Sequence, residues 1–294
     1  MARRSPIESL LAPRVAALAA AVPRALEGEV EGVHQARVAS RRVREALGVC
    51  AASLDPQVAD GARKRVRRVT RALGPVRELD VSAALFAEHV QTHVVDPTAA
   101  VSVRRSLASA RSAALRRAKR ALTPGRQARL LAVLDAAVAT PAHGTALLAA
   151  IDARVASRVD RVHDALRHAG TLYVPERLHL VRIAVKQLRY ATELAGEARR
   201  ARVTSRLAAL RSVQDLLGRA HDLHVLSERL GLVERRLVRT SRRTAGHVHA
   251  VGRAIDDECR QLHASFLSRR EALLAVCAAL HRRPAALRRA GSAA

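Results

Sequence analysis

The sequence contains no Trp, and its aromatic residues are limited to Phe86, Phe266, Tyr173 and Tyr190. Single-stranded nucleic-acid binders stack bases on aromatic rings, at ~1–3 kcal/mol per base. Four scattered rings build no such platform, so the chain is not equipped to read bases. Cysteine is scarce too. Cys50, Cys259 and Cys277 are odd in number and far apart, with no C-x-x-C. That argues against a disulfide framework or a zinc site and fits a reducing cytoplasm. Long apolar runs are also missing. Arg3 and Arg4 precede an Ala/Leu/Val stretch with the look of a signal peptide, but Pro13 and Arg14 split it. Only Val15 to Val22 is uninterrupted, too short to span a membrane. The stretch reads as an amphipathic first helix, and no membrane insertion is expected.

Regular breaks are few: 14 Gly and 10 Pro, clustered. No run alternates with period two for long enough to suggest a sheet, and helical periodicity appears almost everywhere. The apolar fraction of 49% is mostly Ala, Leu and Val, the composition of long helices with a sizeable core. Breaks are expected near Pro23–Gly32, Leu54–Pro56, Gly74–Pro75, Asp96–Pro97, Thr123–Gly125, Thr140–Gly144, Gly170–Pro175, Gly196 and Gly218. Ser5 before Pro6 and Asp55 before Pro56 form N-cap/N1 pairs.

What the chain has in excess is positive charge. Lys+Arg is 52 against 26 Asp+Glu, a net charge of +26. Such a field attracts polyanions: nucleic acid, anionic membrane or a phosphate polymer. Only Lys64, Lys119 and Lys186 are lysines; every other strong cation is Arg. The guanidinium fork fits phosphate oxygens two at a time.

The chain also repeats itself. Val33-His34-Gln35-Ala36-Arg37-Val38-Ala39-Ser40-Arg41-Arg42-Val43-Arg44 aligns with Leu178-His179-Leu180-Val181-Arg182-Ile183-Ala184-Val185-Lys186-Gln187-Leu188-Arg189. Further on, Leu73-Gly74-Pro75-Val76-Arg77-Glu78-Leu79-Asp80 aligns with Leu217-Gly218-Arg219-Ala220-His221-Asp222-Leu223-His224 at nearly the same offset. The expected organisation is a duplicated helical unit, 1–142 and 143–294, with the join near Thr140-Pro141-Ala142-His143-Gly144.

On a helix, His34, Arg37, Arg41 and Arg44 fall within an arc of ~80° at ~100° per residue. His179, Arg182, Lys186 and Arg189 do the same. Like charges one turn apart repel by a few tenths of a kcal/mol per pair. Two such stripes point to a polyanion ligand, with the histidines as further phosphate donors. Arg63, Arg67 and Arg71 form another stripe, opposite Val66, Val69 and Leu73. Arg77 and Arg211 join the candidate ligands. Glu78 and Asp222 are expected in first helical turns, favoured there by the macrodipole. His89/His93 and His221/His224 have metal-ligand spacing, but no neighbouring set completes a site. No metal, cofactor or catalytic residue is assigned.

The paired H-x-x-R-h-x-x-[RK]-x-h-R helices (h apolar), each followed by L-G-x-x-[RH]-[ED]-L, resemble the CHAD family of histidine-containing α-helical domains. The resemblance covers roughly residues 5 to 290. It implies an all-α fold of two pseudo-twofold-related four-helix bundles with a basic central groove or cavity. It also implies non-enzymatic binding of inorganic polyphosphate by the two stripes, with Tyr190 supporting the second by packing. Association with polyphosphate granules or polyphosphate-related enzymes would follow. His221 and His224 stand where the first half has Arg77 and Asp80, so the halves need not bind alike. Two alternatives stay open: nonspecific nucleic-acid binding with the same charge, and a phosphoryl-transfer enzyme, which would need a carboxylate cluster for Mg²⁺.

Overall fold

The computed structural model describes residues 5–141 and 144–281. The boundary expected between residues 142 and 143, and Arg3 and Arg4, lie outside the described residues. Those described form ten α-helices, one short 3₁₀ turn and no strand. In chain order these are α1 (Pro6–Glu27), α2 (Val30–Cys50), the 3₁₀ turn (Ala51–Ser53), α3 (Pro56–Thr92), α4 (Pro97–Ala121) and α5 (Pro124–Val138). Then come α6 (Gly144–Ala169), α7 (Pro175–Arg199), α8 (Thr204–Leu237), α9 (Arg242–Leu267) and α10 (Arg270–His281).

The helix starts follow local chemistry. Ser5 Oγ accepts from the Glu8 amide at 3.0 Å, with Pro6 next in the chain. Asp55 Oδ1 accepts from the amides of Gln57 and Val58 at 2.8 and 3.1 Å, before Pro56. Asp96 Oδ1 does the same for Ala99 at 2.9 Å, before Pro97. Each pair satisfies amides that lack a helical acceptor and presets φ at the first position. α1 ends at Gly28 with φ +100°, where a Cβ would also meet Leu115 Cδ2 at 2.9 Å. Only Gly fits that turn.

The described residues fall into two compact units. Unit 1 is the chain up to Leu147 together with Asp222–Cys259. Unit 2 is Leu148–His221 with the residues from Arg260 on. In unit 1, α1 packs on α2 and α5, and α3 on α2, α4 and α5. α1 is long and apolar enough to cross a membrane by length and composition. Its Ile7, Leu10, Leu11, Val15, Leu18 and Val22 are buried within unit 1. In unit 2 the core gathers Val159, Val162 and Leu166 of α6, Val181, Val185 and Leu188 of α7, and Leu210, Val213 and Leu217 of α8, with Phe266 and Leu273.

Two expected breaks are absent. Gly74–Pro75 lies inside the continuous α3, and Gly218 inside α8. Gly196 sits inside α7 near its end. In a helix interior Gly costs roughly 1 kcal/mol and Pro about 3. Burial of Leu73, Val76 and Leu79 on α3, and of Leu217, Ala220 and Leu223 on α8, sustains the helices through these positions. Consequently Glu78 and Asp222 stand mid-helix rather than in first turns, and the macrodipole plays no part in placing them.

Three cysteines are buried: Cys50 and Cys259 in unit 1, Cys277 in unit 2. Burial pushes the Cys50 thiol up to about 12 and that of Cys277 up to about 11. Unit 1 also buries a charge. The Asp80 side chain is 1% exposed, and Arg111 Nε donates to its Oδ1 at 2.5 Å. Arg111 Nη2 donates to the Gly28 carbonyl at 2.8 Å. One guanidinium thus ties α4 to α3 and to the α1–α2 turn. Asp80→Ala should destabilise unit 1 by about 3 kcal/mol in chemical denaturation, because it strands a partly buried cation. Replacing Arg111 with Met in the same chain should recover much of that loss.

Candidate polyanion site

α2 buries Val33, Ala36, Val43, Ala46 and Leu47, which leaves His34, Arg37, Arg41 and Arg44 along a half-buried edge. The stripe is therefore neither core nor freely solvated. Arg37 Nη1 donates to the Thr70 carbonyl of α3 at 2.9 Å. Thr70 Oγ1 donates to Ser40 Oγ at 3.0 Å, and Ser40 Oγ donates to the Arg37 carbonyl at 2.9 Å. The guanidinium crosses α3 at Gly74, where a Cβ would lie 3.1 Å from Nη1. Gly74 thus supplies space for a cation rather than a helix end.

His34 completes the cluster. Its basicity is pushed below the ordinary histidine range, first by burial and then by the charge of Arg77. Arg41 and Arg37 add to this, while Glu31 opposes it. Arg77 of α3, a candidate from the sequence, therefore bears on the same imidazole as the α2 stripe.

The same parts recur in unit 2. His179, Arg182, Lys186 and Arg189 occupy a half-buried edge of α7. Gly218 of α8 lies opposite Arg182, its would-be Cβ 3.8 Å from Nε. His221, the counterpart of Arg77, contacts His179: the two Nδ1 atoms are 3.1 Å apart and the ring centroids 4.2 Å. Burial, then Arg182 and Lys186, pushes His179 below the ordinary range.

The two stripes differ at their far ends. Arg189 Nε donates to Gln214 Oε1 at 2.7 Å, and its Nη1 pairs with Glu193. The Arg189 guanidinium lies 4.5 Å from the centroid of Tyr190, which is buried. Arg211 Nη2 is 3.7 Å from Glu193 as well. Glu193 thus holds two of the candidate cations, and sequence reasoning missed it. Arg63, Arg67 and Arg71 share an exposed face of α3, with Arg63 Nη1 3.6 Å from Asp60. None of these three is among the charges that act on His34.

The remaining histidine and acid candidates do other work. Glu78 faces Arg229 at 3.7 Å. His89 and His93 stack with centroids 4.0 Å apart, and His224 Nε2 is 3.9 Å from Glu228. Among the described residues no three His, Cys, Asp or Glu side chains gather to hold a metal.

His34, His89, His179 and His263 are all depressed by burial. Below about pH 6.5 the unfolded chain therefore binds more protons than the folded one. Their contribution to stability is present above that pH and is lost as pH falls further. The melting temperature should be lower at pH 5.5 than at pH 7.5, on the order of 2–4 °C per kcal/mol lost. An equal or higher value at pH 5.5 would contradict the assignment.

The fold and the motif both have known counterparts. The CHAD domain family model matches residues 9–231. "PptA from Streptomyces chartreusis" superposes with a TM-score of 0.69 at 19% identity, covering 92% of this chain and 100% of that one. The CHAD domain from the plant Ricinus communis gives 0.57 at 21% identity, covering 97% and 94%. Uncharacterized proteins from two strains of Mycobacterium tuberculosis are 28% identical over 176 residues, 56% of this chain. The chain covers about a third (34%) of the length of those relatives. The match of the family model across both histidine stripes shows that the chain belongs to the CHAD domain family.

Proposed function

We propose that the protein binds inorganic polyphosphate, without turning it over, through the stripes His34/Arg37/Arg41/Arg44 with Arg77 and His179/Arg182/Lys186/Arg189 with His221. One observation carries this reading: the repeated spacing gathers cations around a half-buried imidazole, twice. The cost of holding like charges together is recovered when a polyanion supplies the missing negative charge. Arg forks suit a chain of tetrahedral phosphates, and the scarcity of aromatic rings leaves nothing to stack bases.

The duplicated-bundle organisation with its basic groove is part of the same proposal. A long polymer can occupy both stripes, so its second binding event is intramolecular and strengthened by effective concentration. The cytoplasm, where polyphosphate would be met in granules or beside its enzymes, is the compartment we infer. The exposed Arg63, Arg67 and Arg71 favour a second reading, sequence-independent nucleic-acid binding through phosphate contacts alone.

Competition separates the two. At near-physiological salt, long-chain polyphosphate should displace bound DNA in a fluorescence-anisotropy titration, and DNA matching it phosphate for phosphate would defeat the proposal. Replacing Arg37, Arg41, Arg182 and Lys186 together with Ala should weaken polyphosphate binding on the order of 100-fold or more, at ~1.5 kcal/mol or above per charge-assisted contact and allowing for strong non-additivity. Unchanged affinity with an intact helical circular-dichroism spectrum would rule out the stripes. Affinity should also climb steeply with chain length between a triphosphate and a polymer of many phosphates.

A further inference from the structure

The two stripes are not electrically equal. In unit 1 the partner of the histidine is Arg77, charged at every accessible pH. In unit 2 it is His221, and the His179–His221 contact joins one Nδ1 to the other at 3.1 Å. That geometry needs one Nδ1–H donor facing one Nδ1 lone pair. The contact is compatible with a neutral pair and with a pair carrying one extra proton, and burial together with Arg182 and Lys186 biases His179 toward its neutral form. Protonating Nε2 of the donor ring makes an imidazolium that still donates to its neighbour. A second proton would set two Nδ1–H groups against each other and is opposed.

We infer that the stripe of unit 2 is a proton-coupled subsite: occupation by polyphosphate draws one proton onto the His179–His221 pair, while the Arg77 stripe of unit 1 binds with fixed charge. This rests on the polyphosphate reading above and adds a regulator to it. The charges that face His179 from its own helix are Arg182 and Lys186, both opposing protonation. On α8, Arg219 and Asp222 flank His221 in sequence, and His224 one turn on faces Glu228 at 3.9 Å. From α6, Arg158 is engaged by Gln187 of α7, its Nη1 donating at 2.7 Å. From α9, His263 faces Tyr173, and from α10, Arg270 donates to the carbonyls of Gly170 and Leu166. The cations bearing on His179 are thus the ones a bound phosphate would neutralise. Once they are screened, the pair regains its basicity. By linkage, whatever polyphosphate does to the proton, the proton does to polyphosphate.

The sign follows directly. The protonated pair is favoured in the complex, so affinity rises as pH falls from about 8 through the ordinary histidine range. One linked proton gives at most about a tenfold gain per pH unit.

The test uses the full chain and a long-chain polyphosphate of fixed length. Calorimetric titrations near pH 7 in buffers of different ionisation enthalpy count the protons taken up, and affinities at pH 6, 7 and 8 give the slope. His221→Arg makes unit 2 copy unit 1; it should take up roughly one proton fewer than the wild type and bind more tightly at pH 8. His221→Gln, neutral at every pH, should also lose that proton but without the gain at pH 8. Arg77→His, the reciprocal change, should steepen the slope. Circular dichroism confirms that each variant is folded. Equal proton uptake and equal slopes in wild type, His221→Arg and His221→Gln would overturn this inference alone. No polyphosphate binding at any pH would overturn it together with the reading on which it rests.

Discussion

A guanidinium lying across the backbone of a neighbouring helix is the interaction on which the site depends. Arg37 reaches the Thr70 carbonyl only because α3 carries Gly74 at the crossing. The carbonyl anchors one edge of the fork and fixes the direction of the rest. An Arg on an open helix face would sample many rotamers, and ordering it on a ligand would cost up to ~2 kcal/mol. Here part of that cost is met in the folded protein. In unit 2 Arg182 likewise lies beside a glycine, Gly218, at ordinary van der Waals distance from its would-be Cβ. The helix α3 accepts a residue that is poor for helix formation where the Arg37 guanidinium passes close to its backbone.

That compromise explains where sequence reasoning succeeded and where it went astray. The all-helical class, most helix starts and the two stripes were legible, because a 3-4-3 spacing of cations on an apolar background has one periodicity. The starts at Pro6 and Pro56 and the breaks at Pro97, Pro124 and Pro175 were plain for the same reason: the signal is local. Gly74–Pro75 and Gly218 were misread because Gly and Pro act as punctuation in most chains. Nothing local distinguishes a glycine that ends a helix from one that clears a path for Arg37. The error then spread to Glu78 and Asp222, which were placed by a break that does not exist. Arg77 bears on His34 whether or not the helix breaks there.

The contacts that could not be read are the ones that join distant segments. Arg111 is one Arg among dozens, and nothing in its neighbourhood marks it as the partner of Asp80. Glu193 lies one turn beyond Arg189, so that pairing was available to a helical reading; its hold on Arg211 was not. These two carboxylates show how a chain of such high positive charge keeps its own cations in order. Asp80 holds elements of unit 1 together, and Glu193 restrains the Arg189 end of the unit 2 stripe.

The deeply buried thiols have a practical meaning of their own. With their ionisation pushed so far up, Cys50 and Cys277 present almost no thiolate near neutral pH and sit out of reach of alkylating reagents while their surroundings stay closed. One belongs to each compact unit. The chain therefore carries untagged reporters in both: the rate at which Cys50 or Cys277 takes up a label, resolved from Cys259 by peptide mapping, reads how often that unit opens, and whether the two breathe together or apart.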